Sequence, residues 1–70
     1  MNKEIQLEGR TGYMRLSEVL ELIPVSKSAW WDGIRSGIYP KGRKVNRRST
    51  GWKNSDIDAL IVRIDNEELL

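Results

Sequence analysis

Apolar positions along the 70-residue chain change their spacing several times, and each change predicts an element. Residues 1–12 mix polar side chains with Gly9 and Gly12 and keep no period, which reads as a flexible arm. Tyr13-Met14-Arg15-Leu16 alternates, as a short strand does, with Met14 and Leu16 on one face. Val19, Leu20, Leu22 and Ile23 then form the apolar stripe of a helix. Ser17 is suited to its N-cap, Glu18 to its first turn, and Pro24 to its end, since proline drives the residue before it out of the helical region. A second helix follows at once. Ser26 is its expected N-cap, and Ala29, Trp30, Gly33 and Ile34 share its inner face. Lys27, Ser28, Trp31, Asp32 and Arg35 lie around the other sides. Gly37 and Pro40 end it.

Beyond Pro40 the period shortens again. Arg43 to Val45 and Thr50 to Trp52 read as two strands around a polar tip at Asn46 to Ser49, with Val45 and Trp52 toward the core. Asn46 suits the left-handed backbone that such a tip often needs. The last helix is announced by Ser55-Asp56-Ile57-Asp58, a capping box with aspartate in the glutamate position. Ile57, Leu60, Ile61 and Ile64 supply its continuous apolar face. Asp65, Glu67 and Glu68 oppose the helix dipole at its end, so fraying is expected there. The predicted fold is mainly α with a small β-hairpin wing: a winged helix-turn-helix of three short helices over residues 13–68.

Charge changes this picture more than composition does. The chain carries a net +2, but the sign is segregated. Between Lys27 and Lys53 stand eight basic residues and one acid, a net +7; the remaining residues carry four basic and nine acidic side chains, a net −5. A positive centre between acidic flanks suits a polyanion. There is no cysteine or histidine to staple the fold, hold a metal or serve as nucleophile or base, and no glycine-rich phosphate loop. The expectation is therefore a binding protein, not an enzyme, with no cofactor and no metal. No apolar run approaches the roughly 20 residues of a membrane span. A cytoplasmic location is expected, with no membrane association.

In a helix-turn-helix the second helix enters the major groove and its N-terminal residues reach base edges. Lys27, Ser28, Trp31 and Arg35 are placed for this, while the Ser26 backbone amide faces a phosphate. Arg35 is long enough for guanine or for a phosphate. Trp30 packs inward with Ile34, which turns Trp31 toward DNA. Lys44, Arg47 and Arg48 form the second contact, because a thin basic tip can enter a minor groove or clamp phosphate. Gly33, unfavourable inside a helix, leaves room for another backbone or for DNA.

Three segments carry a resemblance. RLSEVLELIPVSKSAWW, IRSGIYPKGRK and GWKNSDIDAL are similar, at matching spacing, to the AlpA family of prophage regulatory proteins, which is related to phage excisionases and MerR-type winged helices. The resemblance spans Arg15 to Leu60. Gly33 stands where the family usually has tryptophan, with Trp30 expected to fill the space; Gly42 replaces a frequent proline, and Asn46 a frequent glycine. The resemblance implies a sequence-specific DNA-binding regulator that activates excision-related genes, or a recombination directionality factor. Its expected partners are double-stranded DNA, a second copy in a homodimer or cooperative tandem array, and a phage integrase. A protein-interaction module using Leu69, Leu70 and the acidic tail is the reading from another class.

Overall fold

The computed structural model describes residues 12–69. Apart from Gly12, the expected arm lies outside the described residues. The elements run β1 (Tyr13–Arg15), α1 (Leu16–Leu22), α2 (Lys27–Arg35), β2 (Arg43–Lys44), β3 (Thr50–Lys53) and α3 (Asn54–Asp65). The strands form one antiparallel sheet in the order β1-β3-β2, so the expected hairpin gains β1 as a third strand.

Two strands run directly into helices, and this moves both expected caps. Pairing with β3 keeps Arg15 extended, so Arg15 takes the N-cap of α1 and Ser17 falls inside the helix. The Glu18 carboxylate accepts from the Arg15 backbone N–H at 2.7 Å. Likewise Lys53 is still extended and takes the N-cap of α3, which places Ser55 within its first turn rather than at the cap. The Asn54 N–H donates to the Gly12 carbonyl at 3.0 Å, where a helix start would otherwise leave it to solvent. Ser26 does cap α2: its Oγ accepts from the Ala29 N–H at 3.0 Å. Ile23, before Pro24, is extended and ends α1 as expected.

The core is one cluster of Met14, Val19, Ile23, Trp30, Trp52, Ile57 and Leu60, to which all three helices and one face of the sheet contribute. Register explains that face. Met14 pairs with Trp52, while Arg15 and Arg43 both pair with Gly51. Side chains alternate along a strand, so Val45, in step with Arg43 and Gly51, lies opposite Trp52. It cannot face the core as expected, and it is 51% exposed. Val45 and Tyr13 instead lie over Gly51 on the outer side, where a Cβ on Gly51 would come within 3.1 and 3.2 Å of them. Among the expected inward residues of the helices, Ala29, Leu22 and Ile64 are also exposed.

The end of α3 is wound, not frayed. The Glu67 N–H donates to Ile64 O at 2.9 Å and the Glu68 N–H to Arg63 O at 2.9 Å, the paired bonds of a Schellman turn.

Candidate nucleic-acid interface

The geometry of α2 starts from its cap. With Ser26 closing the first turn, helical spacing puts Lys27, Ser28, Trp31 and Arg35 outward, and all four are exposed. Trp30 is fully buried between two aromatic partners. It stacks on Tyr39 at 4.6 Å between ring centroids and 18° between planes, and it meets Trp52 edge-on at 5.8 Å. Trp31 is both exposed and packed: it keeps 37% exposure while its ring leans on Trp52 at 5.6 Å. Its outward placement is therefore fixed by the wing strand.

Trp52 is the shared support. It sits on β3, touches both tryptophans of α2, and donates its Nε1–H to the Pro40 carbonyl at 3.0 Å. A Cβ on Gly42 would lie 2.9 Å from the Trp52 ring and 2.4 Å from Thr50, so the approach to β2 requires glycine there. One buried side chain thus orients α2, the connecting loop and the wing. Such a shared anchor fixes the relative positions of two surface elements more firmly than either could alone.

The wing tip is built by a side chain. The Asn46 carboxamide oxygen accepts from the Arg48 N–H at 2.8 Å and the Ser49 N–H at 2.9 Å, while Val45 N–H donates to Ser49 O at 3.0 Å. This is an Asx turn. Asn46 does not take the left-handed conformation expected of it; among the described residues other than glycine, Glu67 does. Asn46 serves through its side-chain acceptor instead. Arg47 and Arg48 project from the tip, fully outside the core, and Lys44 is exposed on β2.

The family described as prophage CP4-57 regulatory protein (AlpA) matches residues 12–63, which runs from the start of β1 nearly to the end of α3. The chain belongs to the AlpA family. No curated protein sequence and no solved structure matches the chain. The described fold, with three helices and a small antiparallel sheet, is consistent with a winged helix-turn-helix. No helix among the described residues is long and apolar enough to cross a membrane.

At Gly33, where the resemblance implied a space for Trp30 to fill, the structure shows what fills it. A Cβ on Gly33 would fall 2.2 Å from Tyr39 Cδ2 and 2.4 Å from Cε2. Tyr39, not Trp30 and not an outside partner, occupies the position. The chain turns back to deliver it: Ile38 N–H and Tyr39 N–H both donate to the Gly33 carbonyl, at 2.8 and 3.1 Å. The sequence reading missed this because Tyr39 lies in a loop.

Three cations were also missed as a group. Register places Arg15, Arg43 and Lys53 on the outer face of the sheet around Gly51, and the strands contain no acid. The pairing of β1 with β3 is the signal that joins Arg15 to the wing. Arg35 is constrained in a way the sequence hinted at only by spacing. Its guanidinium pairs with Asp32 one turn earlier, with both side chains largely exposed. An exposed pair of this kind contributes about 0.2–1 kcal/mol. A bidentate base contact is worth about 1–3 kcal/mol, so it can replace the pair.

Proposed function

We propose that this AlpA-family regulator acts by binding duplex DNA, with α2 in the major groove and the wing on the flanking backbone. One observation carries the reading: all eight basic residues between Lys27 and Lys53 are exposed, on α2, on the wing and on the loop between them. In this reading Lys27, Ser28, Trp31 and Arg35 face the bases, and the Ser26 amide faces a phosphate. Lys44, Arg47 and Arg48 hold the backbone or the minor groove. The protein works by binding and not by catalysis. Its role within the prophage is control of excision or integrase genes; a directionality factor that contacts an integrase would use the same surface. A lone domain of this size covers a short site, so cooperative tandem binding or a homodimer accompanies the activity.

The test is binding to duplex DNA across a salt series. With about six phosphates contacted, log affinity falls with log salt at a slope of roughly −5. Changing Arg47 and Arg48 together to alanine flattens that slope by about 2 on every sequence. A response to salt that is flat in the unaltered protein rules out the reading. Arg35→Ala divides base from phosphate contact: a loss of about 1–3 kcal/mol confined to the cognate site assigns Arg35 to a base, and an equal loss on all sequences assigns it to the backbone.

A further inference from the structure

Among the described residues, large apolar side chains are exposed at Tyr13, Trp31 and Val45, on β1, α2 and the wing among the cations, and at Val62 on α3; Leu22, Ile38 and Ile64 line a groove elsewhere. That groove has a volume of about 490 Å³ and lies among the α1–α2 turn, the loop after α2 and the end of α3. Val25, Ile61 and Leu69 complete its apolar walls. Its walls are mainly apolar and open to solvent. None of the residues assigned to DNA lines it, so both surfaces can be occupied together.

The charge around the groove selects the occupant. Asp65 and Glu67 line it, and no lysine or arginine does. A nucleic acid is repelled by that rim. A second copy docking by two-fold symmetry presents the same patch, whose lining holds no lysine or arginine to set against Asp65 and Glu67. A basic segment meets no such opposition. The acids also stand where local physics disfavours them: Asp65 is at the negative end of α3, and Glu67 holds φ 57° without being glycine. Sequences break local rules of this sort most often where a site requires it.

We propose that this groove docks a lysine- and arginine-rich segment of another protein, which inserts large apolar side chains between Leu22, Ile38 and Ile64 and sets its cations against Asp65 and Glu67. The recognition mode is that of an amphipathic peptide in a groove.

The experiment uses the full chain and a labelled synthetic peptide of leucine and lysine in amphipathic helical spacing, with a leucine and glutamate peptide as control. Fluorescence anisotropy gives the affinities, and amide chemical shifts locate the binding. The lysine peptide binds, and shifts concentrate at Leu22, Ile38 and Ile64. The glutamate peptide binds at least about tenfold more weakly, a difference of about 1.4 kcal/mol. The double change Asp65→Lys and Glu67→Lys weakens the lysine peptide by a similar factor without weakening DNA binding. Leu22→Ser does the same; should it impair folding, seen by circular dichroism, the charge reversal carries the test alone. Equal affinity for both peptides, shifts outside the groove, or indifference to charge reversal overturns the proposal. So does a dimer in sedimentation that Leu22→Ser dissociates, which makes a second copy the occupant. Peptide binding that rises at least tenfold on deleting residues 1–11 also overturns it, since the chain's own first segment then fills the groove. DNA binding is measured separately, so loss of one reading leaves the other standing.

Discussion

The helices α2 and α3 end in the same backbone motif with different residues at its left-handed position. Ser36 and Asn66 take nearly identical C-cap conformations, φ −88°, ψ 0° and φ −90°, ψ 1°. Each is followed by a residue in the left-handed region and by the two bonds of a Schellman turn. At α2 that residue is Gly37, φ 83°, and the last helical turn carries Arg35. At α3 it is Glu67, between Asp65 and Glu68, although the last helical turn again carries a basic residue, Arg63. The α2 end has glycine at the left-handed position and Arg35 in its last turn, and its turn delivers Tyr39 onto Trp30. The α3 end keeps a basic residue in its last turn but puts Glu67 where glycine is favoured and Asp65 at its negative pole, and it borders the open groove. Backbone hydrogen bonding can impose a turn whatever the side chains favour, provided the local cost is small against the packing that holds the helix. The comparison separates a terminus that serves the fold from one whose residues answer to another demand.

The largest way to break this comparison is at Gly33, whose carbonyl anchors the α2 turn. Gly33→Val forces a side chain into the Tyr39 ring, which is stacked on Trp30. Stability should fall by about 3 kcal/mol, read by urea denaturation. That is a large share of the stability of a domain this small. An unchanged midpoint would show that Tyr39 does not lock the helix end. Next comes Gly37→Ala. An L-residue in the left-handed region costs roughly 1–2 kcal/mol, so the melting temperature should drop by several degrees. The smallest change runs the other way. Glu67→Gly relieves the same kind of strain and should raise stability by about 1 kcal/mol or less, measured by thermal denaturation. Opposite signs at two matching positions sharpen the contrast; equal signs would dissolve it.

Local signals were legible wherever a short-range interaction decides the outcome. Ser26 as cap, Pro24 as terminator, Gly37 after α2, and Trp30 inward with Trp31 outward all rest on neighbours within one or two turns. Ser17 and Ser55 failed as caps because strand pairing extends Arg15 and Lys53, and no local pattern encodes that pairing. Val45 failed because its face depends on register with Gly51, a partner across the hairpin. Asn46 was placed in the right turn for the wrong reason: its side chain, not its backbone, makes the bend. Among the candidate contact residues, Lys27, Arg35, Lys44, Arg47 and Arg48 were readable as exposed charge and Ser28 as an exposed polar position. Arg15, Arg43 and Lys53 as a group, and the engagement of Arg35 by Asp32, needed coordinates.

By itself the sequence determined that this chain makes three short helices and a basic hairpin, and that its positive charge lies between acidic ends. Helix periodicity, proline, capping serine and charge are properties of residues near one another in the chain, so they can be read along it. The tertiary structure alone decided that β1 completes the sheet, that Trp52 holds α2 and the wing together, that Tyr39 fills the space above Gly33, and that an acid-rimmed groove stays open beside α3. Each of these depends on residues distant in sequence meeting at a few ångströms, where shape and register select among pairings that local preference leaves equal.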